Sequence, residues 1–215
     1  RTMLNWCDSA YSHVKELDEE YSNWLCIPKS VRMTSIKPSG TVSLLNGSTP
    51  GIHFPESEYY IRRIRFSKDC ELVEALRDAG HTIEEDAYSP NTYCIEFPVH
   101  EPHFSQSKKT VSMWEQLEMA AQYQHYWADN SVSITVTFKD EEADQIKSAL
   151  EMYETRLKAV SFLRYKDTGY KQAPYESITK ETYKKLIKNI TPIQRADVQE
   201  AGAGTKFCDG ETCEI

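Results

Sequence analysis

Residues 132–163 read VSITVTFKDEEADQIKSALEMYETRLKAVSFL, and their hydrophobic period changes twice. Val132, Ile134, Val136 and Phe138 alternate with Ser133, Thr135 and Thr137, the two-residue period of a strand with one covered face. Asp140, Glu141 and Glu142 then open a helix, where carboxylates meet the partial positive charge of its first amides. Ala143, Ile146, Leu150, Tyr153 and Leu157 give that helix an apolar stripe, and Lys158–Leu163 returns to a strand. A strand, a helix and a strand of these lengths predict parallel strands joined by a helical crossover, hence an α/β fold. Such sheets gather ligands at the carboxyl ends of their strands.

The alternation of elements continues outward. Trp6, Ala10, Val14, Leu17, Tyr21 and Trp24, spaced 4, 4, 3, 4 and 3, predict a helix over 6–24 with that stripe in the core, ended by Cys26-Ile27-Pro28. Arg32–Lys37 predicts a strand halted by Pro38, Gly40–Leu45 a short helix closing at Asn46-Gly47, and Tyr59–Phe66 a second strand. Asp69 is expected to cap a helix through Leu72, Val73, Leu76 and Ala79, stopped by Gly80. Tyr93–Val99 reads as a strand despite Pro98, Met113–Trp127 as a helix, and Thr179–Ile190 as the last helix. Beyond Gln194 the stretch RADVQEAGAGTKFCDGETCEI loses apolar periodicity. The expected organisation is therefore a folded unit over 1–194 and a mobile tail over 195–215.

With 25 Lys+Arg against 33 Asp+Glu in 215 residues, the net charge is −8. That disfavours a general nucleic-acid or anionic-membrane surface, since both need a cationic footprint. No apolar run approaches the roughly 20 residues of a membrane span, and the start is no signal peptide. Cys7, Cys26, Cys70 and Cys94 are widely spaced without metal-type pairing, which suits a reduced, cytoplasmic setting. The first residue is Arg, so the chain reads as cut from something longer.

Two stretches could carry chemistry. In Lys37-Pro38-Ser39-Gly40-Thr41-Val42-Ser43 a strand meets a Pro-Ser-Gly turn and opens a helix. The first amides of a helix lack internal partners and can hold a phosphate; Gly40 allows close approach, and Ser39, Thr41 and Ser43 add hydroxyls. The same pattern also serves as an ordinary Ser/Thr-capped helix start, and the spacing is not that of a P-loop. In Cys208-Asp209-Gly210-Glu211-Thr212-Cys213 four intervening residues, one of them Gly, can bring the sulfurs within disulfide range. A dithiol on a tail can exchange electrons with a distant partner; incidental exposed thiols or half a zinc site are the alternatives. Arg62, Arg63 and Arg65 are read as internal salt bridges or a solvated strand face rather than an anion site, and Tyr59-Tyr60 as a packing pair. In His100-Glu101-Pro102-His103 the proline prevents the helix that would align both imidazoles for a metal.

Several co-linear stretches resemble the adenosylcobalamin-dependent, class II ribonucleoside-triphosphate reductases: SIKPSGTVSLLNGSTPGIHFPESEYYIRRIRF (35–66), Asp129-Asn130-Ser131-Val132-Ser133 with the following TVTF, LKAVSF (157–162), Gly169-Tyr170-Lys171-Gln172-Ala173-Pro174, and the terminal CDGETCEI. The resemblance implies the carboxyl-terminal part of a ten-stranded α/β barrel. It implies that Pro38, Ser39, Gly40, Thr41, Val42 and Ser43 bind substrate phosphates, and that Cys208 and Cys213 re-reduce a barrel disulfide and pass the oxidation to thioredoxin. Adenosylcobalamin is the implied cofactor and a ribonucleoside triphosphate the substrate, with thiyl-radical chemistry at a finger-loop cysteine. The family's Asn-x-Cys-x-Glu finger-loop motif is not in this sequence. The radical cysteine and the deoxynucleotide effector region are therefore expected upstream, and this stretch is not expected to turn over alone. Class I relatives relay a radical through adjacent tyrosines; the matching run here ends Ser161-Phe162, which favours class II. Lack of terminal CxxC pairs favours the monomeric, triphosphate-using form. A non-catalytic nucleotide binder with a redox-sensing tail is the reading outside enzymology.

Overall fold

The structure, a computed structural model, describes residues 2–38, 43–44, 47–165 and 171–193. Its largest sheet is antiparallel. Strand β1 (Tyr59–Ser67) pairs with β3 (Thr92–His100) along its whole length, Tyr59 opposite His100 and Ser67 opposite Thr92. Strand β2 (Ile83–Glu85) extends the β3 edge and β6 (Tyr175–Ser177) the β1 edge, in the order β2-β3-β1-β6. The expectation of parallel strands throughout is thus corrected. The link between β1 and β3 is no crossover: it holds only a seven-residue helix, α2 (Leu72–Asp78), and the short β2, which turns back onto β3. Two brief strands, β2 and β6, escape a periodicity argument because three residues are too few to show a period.

Residues 132–163 do form a parallel unit. Strand β4 (Thr135–Phe138) runs parallel to β5 (Ser161–Arg164), and a parallel bridge between Ile36 and Val132 continues the layer on the other side. Arg32–Lys37 therefore contributes one bridge rather than a full strand. Helices α3 (Met113–Tyr126) and α4 (Ile146–Tyr153) cover this layer. Met113, Leu117, Ala120, Ala121, Val132, Ile134, Val136, Ala149 and Tyr153 make its core. Residues Asp140–Gln145 wind as a 3₁₀ helix before α4, and the tighter turn shifts the phase. Ala149 faces the core and Leu150 lies outside, against the predicted stripe.

Polar side chains close the unit. Ser112 and Glu115 form a reciprocal box at the start of α3, the Ser112 hydroxyl accepting from the Glu115 amide and the Glu115 carboxylate from the Ser112 amide. Buried Glu142 accepts from the amides of Met113 and Lys139, both at 2.9 Å, which ties the two helix starts together. Gln116 stands in for a missing neighbour strand: its amide donates to the Thr137 carbonyl at 2.8 Å and its carbonyl accepts from the Thr137 amide at 3.0 Å.

Helix α1 (Thr2–Leu25) packs on α3 with a face that only partly overlaps the predicted one. Leu4, Cys7, Tyr11, Val14, Leu17, Asp18 and Ser22 are half-buried or buried; of the predicted stripe Val14 and Leu17 are among them, while Trp6, Ala10, Tyr21 and Trp24 stand exposed. Helix α5 (Lys180–Lys188) is capped by Thr179 and lies against β1 and β3, where Tyr183 meets Tyr59 and His100. Glu71 rather than Asp69 precedes α2, and Gly80, at φ +89°, ends it as the sequence suggests. The predicted tail and most of the predicted phosphate turn lie outside the described residues.

Candidate functional site

Of the predicted phosphate turn, Pro38 and Ser43 are described; Ser39, Gly40, Thr41 and Val42 are not, nor are Cys208 and Cys213. What the structure shows is how the turn's two ends are held. The approach, residues 33–36, is laced to the segment after α3. The Met33 amide donates to Asp129 Oδ2 at 3.0 Å, the Asp129 amide to Thr34 Oγ1 at 3.0 Å, and the Asn130 amide to the Thr34 carbonyl at 3.0 Å. The Thr34 hydroxyl donates to the Trp127 carbonyl, and the Ser133 amide reaches the Ile36 carbonyl at 2.9 Å. Asp129 also accepts from the Tyr11 hydroxyl at 2.7 Å. Its carboxyl is held below the ordinary range, chiefly by the Met33 amide, then by Tyr11 and Thr34, against the opposing effect of burial.

The exit is anchored differently. Ser43 and Leu44 are helical, and Leu44 is buried against Tyr60 and Val99 of the antiparallel sheet. The helix closes at Gly47, φ +72°, whose amide donates to the Leu44 carbonyl at 3.2 Å, followed by Ser48 to the Ser43 carbonyl at 2.9 Å. Ser43 Oγ is buried and has no hydrogen-bond partner among the described residues.

The following loop folds back on the approach. Gly51 has φ +65°, and a Cβ there would stand 3.2 Å from the Lys37 carbonyl oxygen, so only glycine allows this contact without displacement. His53 then pins the loop to β4: its Nε2 accepts from the Thr135 amide at 3.0 Å, which leaves Nδ1 to donate to the Pro50 carbonyl at 2.8 Å. Beside the approach, Lys37, Ser131, Ser133, Val160 and Ser161 line a cleft of about 240 Å³. Tyr175, packed on the Leu44 cluster, carries the Arg62 guanidinium at 4.5 Å and the Lys108 ammonium at 4.6 Å from its ring centre. Burial pushes the Lys108 amine down.

The other sequence candidates resolve as internal structure. Arg63 binds Glu96 at 2.7 Å and also Glu176, and Arg65 binds Asp86 at 2.8 Å. The three arginines further hold the 172–174 backbone: Arg62 donates to the Pro174 carbonyl, Arg63 to Ala173 and Arg65 to Gln172. Glu101 accepts from the buried Tyr60 hydroxyl at 2.9 Å, while His100 stacks on Tyr59 at 4.6 Å. Tyr59 and Tyr60 are both buried, on opposite faces of β1. Among the described residues no three His, Cys, Asp or Glu side chains are placed to hold a metal ion, and Cys7, Cys26, Cys70 and Cys94 are unbridged. No described helix is long and apolar enough to cross a membrane. Sequence reasoning gave no role to Thr34, Asp129 or His53; the short polar run just after the end of α3 is the one signal that pointed there.

The structure superimposes on a solved B12-dependent, class II ribonucleotide reductase with TM-score 0.80 and 41% identity, over 89% of this chain and 27% of that one. The chain is similar to the carboxyl-terminal segment of the adenosylcobalamin-dependent ribonucleoside-triphosphate reductases. It is 44% identical over 99% of its length to a probable enzyme of that name from Dictyostelium discoideum, and 42% identical over 98% to the one from Euglena gracilis. It is 43% identical over 99% to that of Lactobacillus leichmannii. The chain spans 29–30% of the length of these relatives. No protein-family model matches the sequence.

Proposed function

We propose that this chain works as the carboxyl-terminal part of an adenosylcobalamin-dependent ribonucleoside-triphosphate reductase, which replaces the 2′ hydroxyl of a ribonucleoside triphosphate by hydrogen. The match over 99% of the chain to enzymes of that name carries this reading. In it, the turn from Pro38 to Ser43 grips the substrate phosphates. Gly40 leaves the backbone open, Ser39, Thr41 and Ser43 donate hydroxyls, and the Val42 amide belongs to the same first turn. The Ser43 hydroxyl, without a partner among the described residues, and the cations Lys37, Arg62 and Lys108 near the two anchors support that assignment. Attraction to a polyanion must be local in a chain of net charge −8, and oriented amides with a few cations supply it.

The segment 195–215 serves as the redox arm. Its Cys208–Cys213 pair attacks a barrel disulfide as a thiolate, passes through a mixed disulfide, and leaves the barrel dithiol reduced and itself oxidised. Thioredoxin then returns the two electrons. The remaining partner is a deoxynucleotide effector bound upstream, and the setting is a monomeric cytoplasmic enzyme whose barrel residues 1–194 complete.

Adenosylcobalamin would supply the radical in such an enzyme. One cleft of about 700 Å³ among the described residues does not fit it, because Tyr11 and Lys158 are already bonded to Asp129 there, and Arg156 to Glu118. We assign none of them to the corrin. The test is Gly40→Val in the complete reductase, whose Cβ branch blocks backbone approach. The Michaelis constant for the ribonucleoside triphosphate is expected to rise at least about tenfold, roughly 1.4 kcal/mol of binding. An unchanged constant removes the turn from the substrate site.

A further inference from the structure

Along the edge of β4 that faces away from β5, three different groups do the work of one neighbouring strand. Alternate amides of a strand point to the same edge, here those of Ser133, Thr135 and Thr137. The Ser133 amide donates to the Ile36 carbonyl at 2.9 Å, the Thr135 amide to His53 Nε2 at 3.0 Å, and the Thr137 amide to Gln116 Oε1 at 3.0 Å. The parallel bridge between Ile36 and Val132 sets the direction of the approach beside β4. In a parallel ladder, successive donors on one strand take carbonyls two residues apart on the other. The Thr135 amide is therefore due the Pro38 carbonyl, and His53 holds that place instead. The ring is fixed for it by its other nitrogen. Since Nε2 accepts from an amide, the ring proton sits on Nδ1, 2.8 Å from the Pro50 carbonyl that takes it.

We infer that His53 is a positioning residue for substrate binding: by taking the ladder place of Pro38 it holds the first residue of the phosphate turn off β4 and so keeps the turn open. The inference rests on the phosphate reading above. The loop that carries the imidazole also meets the departing chain. A Cβ at Gly51 would stand 3.2 Å from the Lys37 carbonyl oxygen and 3.4 Å from Pro38 Cα, so residues 50–53 press against the point where the turn leaves the layer. Without the imidazole, the half-buried Thr135 amide loses its partner. The Pro38 carbonyl replaces that partner only by closing onto β4, which draws the start of the turn into the layer. Every group in this arrangement belongs to the chain itself, and His53 acts through main chain rather than on the reacting atoms.

Two substitutions each copy one nitrogen of the ring. In His53→Gln the side-chain amide extends to the place of Nε2 and can accept from Thr135; in His53→Asn it extends only to that of Nδ1 and keeps the Pro50 bond alone. In the complete reductase, His53→Asn is expected to raise the Michaelis constant for the ribonucleoside triphosphate about tenfold, the worth of one hydrogen bond, with kcat within about twofold. His53→Gln should restore the constant to within about threefold of the parent. Amide hydrogen exchange over residues 133–138 should follow the same order, about tenfold faster in His53→Asn and within about twofold of the parent in His53→Gln. Equal effects of the two substitutions overturn the inference, since a loop merely packed in place does not distinguish them. A loss confined to kcat overturns it as well. Gly40→Val, assayed alongside, reports on the phosphate reading separately: an unchanged constant there removes that reading. A Gly40→Val effect without an asparagine–glutamine difference overturns the His53 assignment alone.

Discussion

Replacing Asp129 should loosen the approach to the phosphate turn by an amount the structure lets one work out. Its two carboxylate oxygens accept from the Met33 amide at 3.0 Å and the Tyr11 hydroxyl at 2.7 Å. A hydrogen bond to a charged group contributes about 1.5–3 kcal/mol, and the half-buried position reduces each toward the lower end. In Asp129→Ala both acceptors vanish, yet water can reach the Tyr11 hydroxyl, so the loss is set at about 2 kcal/mol, a factor of about 30. In Asp129→Asn the side-chain oxygen can still take the Met33 amide, while the NH₂ donates to the Tyr11 oxygen. Only the charge is lost, about 1 kcal/mol or fivefold. Amide hydrogen exchange over residues 31–37 of the complete reductase reads this as local opening. The alanine variant should exchange about 30-fold faster and the asparagine variant about fivefold faster, with the Michaelis constant for the nucleotide rising in the same order. Equal effects of the two substitutions, or exchange within twofold of the parent, would refute the reasoning.

Gly80→Ala should be severe: the position has φ +89°, and a Cβ would stand 2.2 Å from the Asn189 carbonyl oxygen, so strain and a backbone clash add to about 3 kcal/mol or more. A melting temperature unchanged within a degree would show that the 189–191 segment moves aside freely. Glu118 has its pKa lowered to about 2, first by the Arg156 hydrogen bond, so the folded value lies below the ordinary 4.5. Its stabilisation is full above about pH 4.5 and is lost as the pH falls toward 2; with both side chains 40% exposed, screening leaves about 0.5–1 kcal/mol. Denaturant titrations from pH 5 to 2 should show Glu118→Gln flattening that limb, and a parallel shift of the whole curve would contradict the assignment. Cys208→Ser or Cys213→Ser should abolish turnover supported by thioredoxin while a small dithiol still sustains some. Equal loss with both reductants would indicate a folding role.

The parts of the fold that could be read from the sequence are those where one residue pattern has one physical cause. Val132–Phe138 alternates because β4 has one face on the α3–α4 core, and Gly80 ends α2 because it alone accepts that backbone. Strand direction could not be read. Tyr59–Phe66 and Tyr93–Val99 look the same as parallel or antiparallel strands, and only the short β2 return decides between them. Helix α1 shows the limit most clearly: of the stripe chosen from the sequence, Val14 and Leu17 are half-buried, but its ends at Trp6, Tyr21 and Trp24 stand exposed. Around the turn, the residues that hold its ends are an Asp, a Thr and a His bonded to main chain 82–96 positions away, and no local period encodes such a pairing.

Those distant pairings bear on how the turn can work. Its approach belongs to the parallel layer through Asp129, Asn130 and Ser133, and its exit to the antiparallel sheet through Leu44. Neither layer alone fixes both ends, so the separation of Pro38 and Ser43 depends on both anchors. Gly51 and His53 make that dependence stiff, since the loop between the anchors presses on the Lys37 carbonyl at one end and bonds the Thr135 amide at the other. A phosphate chain carrying several charges needs donors at fixed separations more than it needs net charge. If the turn binds phosphates as proposed, a chain of net charge −8 holds its polyanionic ligand through a few braced donors, and the main-chain bonds between residues 33–36 and 129–133 are part of that brace.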